Sequence, residues 1–543
     1  MAVSLILYVG DLGFYYDDYS VLERMRSSDD QSLFGYYDAV RPATGQRPLQ
    51  ALTFAALYWL FGLDPLGYHV SNACLLFVVA GLLYLVLREL RLPRLLCVSV
   101  PLVYSTLPHY ATNRFWLDAF QINVSTAFYL LSLYAGLRAI RSSSPALIIW
   151  IAIAVLGVPG SLFAYEVIFP LFALNVGLIW WVGRRRRFHE VSDRAVALTT
   201  GTLLVAIVGA GIAKLAAVAQ HGQNTYGIGF EDSVPHHLAY LVSGAIKLNV
   251  GTYLLALPYV LWWIVRHEFS AGNAVVAAIA GILALAYVLH VARLGRETLA
   301  KAATWRYVVG ASTVAFVLGY AIFLTNQQIL FRSAGIDNRV NSGAALGLAG
   351  LLVGGIGWLI ARLDARRRAP ALAVAVACAV ASGVFVINTL SSFWTTAARH
   401  QREILADIRR DAGELPRSST LILDGSCPEQ GPAIVFADQW DLRAALKIAY
   451  RDPSLTADVA SEGMQATQSG LAIRMTFLDR VFIRTYPYGR RLIVYDSKRR
   501  RLYRLRDRAQ AIRYLADSRP SFRCKPQRSF AWGFDPSRRW TLL

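Results

Sequence analysis

"HVSNACLLFVVAGLLYLVL", residues 69–87, carries no acidic or basic residue beyond its leading histidine. Coiled as a helix, its apolar part rises about 27 Å, close to the roughly 30 Å hydrocarbon thickness of a bilayer. The same composition returns at 195–212, 274–292, 308–325 and 371–390. The chain of 543 residues is 55% hydrophobic and only 17% charged, a balance that excludes a soluble globular protein and specifies a polytopic membrane protein.

The formal charge of +20 comes from 55 Lys and Arg against 35 Asp and Glu. These cations fall mainly in short inter-helix loops and in the last 150 or so residues, the pattern that orients a membrane protein. No basic stripe with interleaved aromatics forms a nucleic-acid module, so nucleic acid is set aside as a partner. The five cysteines form no C-x-x-C pair, which argues against a zinc site. Cys74, Cys97 and Cys378 lie in apolar runs and read as small core residues. Cys427 and Cys524 lie in the polar tail, where a disulfide between them persists only outside the reducing cytoplasm.

The first run, "MAVSLILYVG", lacks a basic leader and an A-x-A cleavage site and is short for a span. Either it continues through "DLGFYY" or the true start lies upstream. With a cytoplasmic N-terminus, it delivers Asp17 and Asp18 to the outer face, and 17–47 becomes an outer loop. Residues 48–63 are expected to lie along the outer interface, because a full crossing there would leave Arg88, Arg91 and Arg94 outside. Crossings then alternate over 69–87, 95–108, 120–137, 146–163 and 167–182, returning to the arginine quartet at 184–187. A further crossing, 195–218, leads to a basic-poor outer loop. The 33 residues 236–268 are read as two short or broken elements, interrupted near Gly251 and Pro258, since that reading keeps 293–306 and 362–368 in the cytoplasm and the tail outside. Gly343, Gly347, Gly350 and Gly354 mark a face for close helix packing.

The composition turns polar after residue 394. This divides the chain into a membrane domain, 1–394, and a soluble extracytoplasmic domain, 395–543. The latter reads as a small α/β unit: a strand in "STLILDG", a helix around "WDLRAALKIAY", a strand in "GLAIRMTFL" and a hairpin in "RRLIVYDSKRRRLYRL". Its basic hairpin suits an anionic polymer or lipid headgroups.

Carboxylates at a membrane rim are costly and often functional. "GFYYDDYSVLERM", residues 13–25, puts two of them side by side, and the plain alternative is a solvated helix end with interfacial tyrosines. Beyond them come "GQRPLQALTFAALYWLFGLDPLGYHVSN" and, one helical hairpin later, "NRFWLDAFQINVSTAFYLL". An Asp pair in an early outer loop, an Arg-Pro-Leu opening a helix, "GLDPLGYHVSN" and an aromatic-Asp loop occur in an order that resembles the GT-C superfamily of polytopic glycosyltransferases, such as protein O-mannosyltransferases and the aminoarabinose transferases of lipid A. The likeness is clearest over residues 13–137. It implies a mostly α, GT-C type transmembrane bundle followed by the α/β domain. It also implies transfer on the outer face from a polyprenyl-phosphate sugar, with Asp17 or Asp18 matching the family's catalytic base.

Chemistry explains these residue types independently. A hydroxyl attacking an anomeric carbon must lose its proton, and a carboxylate within hydrogen-bond reach takes it. The departing lipid phosphate is a stable anion that needs cations rather than a strong acid. Of the pair, Asp18 is slightly favoured as base because Tyr19 and the helix-like "SVLERM" follow it. Arginines engage two phosphate oxygens at once, and the outer-face candidates are Arg47, Arg332 and Arg339, with snorkelling or helix capping as the alternatives. Asp118 and Glu166 are lone acids at outer helix junctions and are expected to face the same cavity. His69 reads as packing. His236 and His237 beside Asp232 make too small a cluster to specify a metal, and nothing in the sequence supports a divalent cation. The sequon at 123–125 lies within a span.

The function expected is therefore an inverting membrane glycosyltransferase in a bacterial-type cytoplasmic membrane, with a glycan, lipid or protein acceptor and membrane lipids as partners. The rivals are a transporter or flippase, an inactive GT-C-like assembly subunit, and a glycan polymerase of another fold. A transporter would show repeats and mid-span charges, whereas here only Lys214 and Lys247 approach span centres.

Overall fold

The computed structural model describes residues 5, 7–184, 192–220, 234–295, 302–325, 329–477 and 480–518. Most of the arginine quartet, the outer loop over 221–233 with Asp232, residues 296–301 and Cys524 lie outside the described residues. The chain is a mostly helical, multi-pass membrane protein with a C-terminal α/β region. Among the described residues, nine helical segments are long and apolar enough to cross a bilayer: Pro65–Glu89, Ala146–Ala164, Glu166–Arg184, Asp193–Ala219, Val234–Leu255, Ala271–Leu294, Thr304–Thr325, Ile336–Ile360 and Ala365–Ala412. All five of the longest uncharged windows fall inside them.

The largely buried helix Leu117–Ala139 is absent from that set. It packs against Pro65–Glu89 and Ala146–Ala164, so protein rather than lipid is its solvent. Gln121, Asn123, Ser125, Thr126 and Ser132 are accordingly buried within it.

The crossing expected over 95–108 is regular only over Arg94–Tyr104, about 16 Å of rise, or half the hydrocarbon depth. Irregular backbone makes up the rest, and residues 105–117 are all buried. Such backbone is tolerated at depth only where protein satisfies its polar groups, and asparagines do so here. Asn72 and Asn123 donate to the Asn113 carbonyl at 2.7 and 3.1 Å, and Asn338 Oδ1 accepts from the Thr112 amide at 3.2 Å. Trp116 and Asp118 are thereby fixed at the mouth of the bundle.

The segment 236–268 is broken, as its glycine and proline imply: Val234–Ile246 gives way to a π-helical stretch, Lys247–Leu255, and a new helix opens at Leu257 with Pro258 in its first turn. Gly347 packs as its spacing suggests, since a Cβ there would stand 2.3 Å from the Phe316 amide nitrogen. Cys97 is buried, but Cys74 and Cys378 are exposed on the outside of the bundle rather than in its core. Small apolar side chains suit a lipid-facing surface equally well.

Ala365–Ala412 is a single helix of 48 residues, about 72 Å long. It spans the bundle and continues as a stalk, so the compositional boundary at 394 falls inside a continuous element. Gly413, at φ 58, ends it. In the tail, Thr420–Asp424 lies between the parallel strands Thr456–Val459 and Leu492–Asp496, and Arg501–Arg504 closes the sheet antiparallel to the latter. The helix Gln439–Tyr450 makes the crossover between the first two strands, as a parallel pair requires. Leu471–Phe477 and Arg480–Tyr486 form a separate antiparallel ribbon. Cys427 is disulfide-bonded.

The tail rests on the short helix that carries the aspartate pair, Asp17–Arg26. Lys447 Nζ reaches Glu23 Oε1 at 3.3 Å, and Ser20 Oγ donates to the Trp440 carbonyl at 3.3 Å. Gln401 of the stalk ties both together, accepting from the Tyr19 hydroxyl at 3.3 Å and donating to the Val435 carbonyl at 2.6 Å.

Candidate active site

The stretch 13–16 is wedged between three elements before it reaches the aspartates. Gly13 leaves room for the stalk, because a Cβ there would stand 2.9 Å from Ala398 Cβ. Its carbonyl accepts from His69 Nε2 at 2.9 Å, which gives His69 a structural task. The Tyr15 hydroxyl donates to the Trp394 carbonyl at 2.8 Å, and Trp116 Nε1 donates to the Tyr15 carbonyl at 3.1 Å. Tyr16 then adopts φ 51, ψ −114, a strained conformation for an aromatic residue. Its ring is held between Trp116 and Trp440, with centroids 6.4 and 5.2 Å away.

This turn separates the fates of the two aspartates. Asp18 is 1% exposed, and both its oxygens are occupied: Oδ2 accepts from the Tyr15 amide at 2.9 Å and Oδ1 from the Asp118 amide at 3.1 Å. It welds the helix Asp17–Arg26 to the start of the core helix. Burial pushes its carboxyl well above the usual range against the pull of the Tyr15 N–H. Asp17 is only partly buried and is surrounded by side-chain charge. Burial and then the Asp118 carboxylate push it up to about 7, with Arg339 and a hydrogen bond from the Trp440 side chain pulling the other way and Asp438 of the tail adding to the rise.

Asp118 accepts from Gln50 Nε2 at 2.8 Å and lies 3.7 Å from Arg339 Nη1, a loose contact. The Arg339 guanidinium stacks 4.8 Å above the Trp116 ring. Asp17, Asp118 and Arg339 thus meet at one place, where Arg339 is the cation with the least committed geometry.

Arg47 and Glu166 also come together, but as partners. Arg47 Nε donates to Glu166 Oε2 at 2.8 Å, and a second hydrogen bond joins its Nη2 to Oε1. The guanidinium lies 4.1 Å from the Tyr165 ring centroid. Lys214 completes the group, 3.7 Å from Glu166 Oε2 and donating to the Gln46 carbonyl at 2.9 Å. Arg332 stands apart, half-exposed and 3.4 Å from Asp337; its electrostatic neighbour across the seam is Glu429 of the tail. His237 donates to the Phe323 carbonyl at 2.8 Å. Among the described residues, no three His, Cys, Asp or Glu side chains group closely enough to hold a metal ion.

Sequence reasoning missed the tail's share. Asp438 caps the tail helix and accepts from the Tyr16 hydroxyl at 3.4 Å, and Arg484 lies 3.7 Å from its Oδ1. Burial, offset by Arg484, holds the Asp438 carboxyl up at about 6. No local signal links residues more than 420 positions apart. Lys214 did carry one: a lone cation in an apolar run implies a hidden acidic partner.

No family model matches the chain, and neither does any curated protein. Among solved structures it is similar to ArnT from Cupriavidus metallidurans in the apo state, at 14% identity, with 84% of each chain covered and a TM-score of 0.36. The structure of that protein bound to undecaprenyl phosphate aligns over 85% of each chain at 13% identity, again with a TM-score of 0.36.

Proposed function

We propose that this chain is a membrane glycosyltransferase that moves a sugar from a polyprenyl-phosphate carrier to an acceptor hydroxyl on the extracytoplasmic face, with inversion. The observation that carries this reading is the split between the aspartates: Asp18 is spent on two backbone amides, while Asp17 stands among side chains with its carboxyl raised to about 7. A base is most effective when its pKa lies near the working pH. Asp17 is therefore the base, in place of the slight preference for Asp18 drawn from sequence.

In the reaction, Asp17 takes the proton of the acceptor hydroxyl as its oxygen bonds to the anomeric carbon. The bond from that carbon to the carrier phosphate breaks on the opposite face, and the phosphate leaves with the electron pair. Arg339 is placed to receive the developing charge, since its loose 3.7 Å contact with Asp118 can be exchanged for two phosphate oxygens. Arg47 is held by Glu166, which Lys214 also approaches, and shapes the wall beside it. The tail closes the chamber over Tyr16 and Trp440.

Two measurements test this. In intact cells, a cysteine placed at exposed Asp29 should react with a membrane-impermeant maleimide; protection there, with labelling only after permeabilisation, reverses the orientation and removes the extracytoplasmic reading. In neutral vesicles, the purified protein should retain added polyprenyl phosphate, and Arg339→Gln should weaken that retention roughly tenfold. Equal retention by the variant removes the phosphate role.

A further inference from the structure

Where the helix Asp17–Arg26 ends against the stalk and the tail, a cavity of about 450 Å³ is lined by Arg26, Arg409 and Arg451 together with Leu63, Ile448 and Tyr450. The three guanidinium groups come from three separate elements, each at a helix C-terminal end: Arg26 is the last residue of its helix, Arg409 stands in the last turn of the stalk, and Arg451 follows the tail helix as its cap. A helix C-terminus carries about half a negative charge. Three of them offset about half of the three positive charges and leave roughly +1.5 around the cavity.

Among the described residues, none of the three arginines has an ion-pair partner. Asp452, next to Arg451, accepts from the Ser454 amide at 2.8 Å, and the other neighbouring acids are paired with cations outside the cavity. Glu23 is paired with Lys447 at 3.3 Å, and Asp411 with Arg410 at 3.2 Å and Arg500 at 3.5 Å. Asp407 is held by Arg410 and lies 3.7 Å from Arg500. Arg451 also takes a left-handed conformation, φ 55 and ψ 34, where glycine would cap the helix without steric cost.

We propose that this cavity is an anion subsite for a phosphate monoester, which carries about −1.5 to −2 at neutral pH. The group belongs either to a lipid headgroup of the outer leaflet or to a soluble phosphorylated saccharide. The site is distinct from the arginines near Asp17. Nine residues of helix, about 13 Å, separate Arg26 from Asp17.

The test is calorimetric titration of inorganic phosphate into the full chain in nanodiscs of pure phosphatidylcholine at low salt, repeated with discs containing phosphatidic acid. Saturable binding is expected in the neutral discs, weakened roughly tenfold by each of Arg26→Gln, Arg409→Gln and Arg451→Gly. Arg451→Gly keeps the left-handed cap without its steric cost and so leaves the melting temperature at or above that of the wild type. If phosphatidic acid blocks the added phosphate, the headgroup is the occupant; if binding is the same in both discs, a soluble phosphorylated group is. Absence of saturable binding in neutral discs, or equal binding by wild type and Arg451→Gly, overturns the proposal without touching the role of Asp17.

Discussion

Glu166 takes two hydrogen bonds from a single guanidinium, that of Arg47, and has Lys214 3.7 Å behind it. A few residues away in space, Asp118 meets Arg339 along one edge at 3.7 Å, and Asp17 faces both with no cation of its own in bidentate contact. The first centre is charge closed upon itself, and the second is charge left open. Closed ion pairs at a membrane rim fix helices to each other. An open group of two acids and one arginine raises a carboxyl toward neutrality and leaves a cation available, which is the condition general-base chemistry needs. The sequence offers all six residues with no sign of which set they belong to.

The sharpest way to break this contrast is Asp17→Asn. It removes a base and leaves the shape unchanged, so transfer should fall by roughly 10²–10⁴ while retention of polyprenyl phosphate in neutral vesicles stays at the wild-type level. An unchanged turnover number would place Asp17 with the structural charges. Stability offers a separate reading. A carboxyl raised in the folded state stabilises fully below its unfolded pKa and loses that contribution as pH rises through about 7. Asp17→Asn should therefore melt at or above the wild-type temperature at pH 8, and the gap should close near pH 4.

The pH profile is the next largest effect. With Asp17 titrating at about 7, the wild-type rate should fall close to tenfold per unit on the acid side, because the protonated form cannot accept a proton. A rate that stays flat down to pH 5 would assign the base to a carboxylate with an ordinary pKa.

The closed centre should answer in stability rather than rate. Glu166→Gln leaves two cations without their acid, and Arg47→Gln leaves Glu166 with only the looser Lys214 contact, so either should cost about 1–2 kcal/mol, discounted because both side chains are more than a quarter exposed. The double variant should lose less than the sum of the two. Additive losses would show that the pair does not act as a unit.

Much of this was legible in the sequence, for reasons that differ by element. The uncharged windows could be read because a bilayer imposes length and apolarity together, and all five are helices. The break within 236–268 could be read from Gly251 and Pro258. The irregular stretch 105–116 could not, since its stability rests on Asn72, Asn123 and Asn338, three side chains from distant elements. The Asp pair drew attention, yet which of the two is free depends on the Tyr16 turn and on the Asp118 amide, and neither leaves a mark in composition. Arg47 and Glu166 were each picked out as lone outer charges, and only the fold reveals that they are bound to each other.

The smallest expected effect probes the tail's reach into the open centre. Asp438 lies near enough to Asp17 to raise its carboxyl, although it is the weakest of the named influences, behind burial, Asp118, Arg339 and the Trp440 side chain. Asp438→Asn keeps the helix cap, because asparagine is as good as aspartate at that position, and removes one negative charge from the roof of the chamber. The acid limb of the rate profile should then move a few tenths of a pH unit lower, since a like charge across a partly solvated gap is worth well under 1 kcal/mol. The maximal rate should hold. Arg484 stays in place, because Asp458 accepts from its Nε and Nη2 at 2.8 and 2.9 Å, so a shift toward higher pH would contradict the repulsion between Asp438 and Asp17 on which this expectation rests.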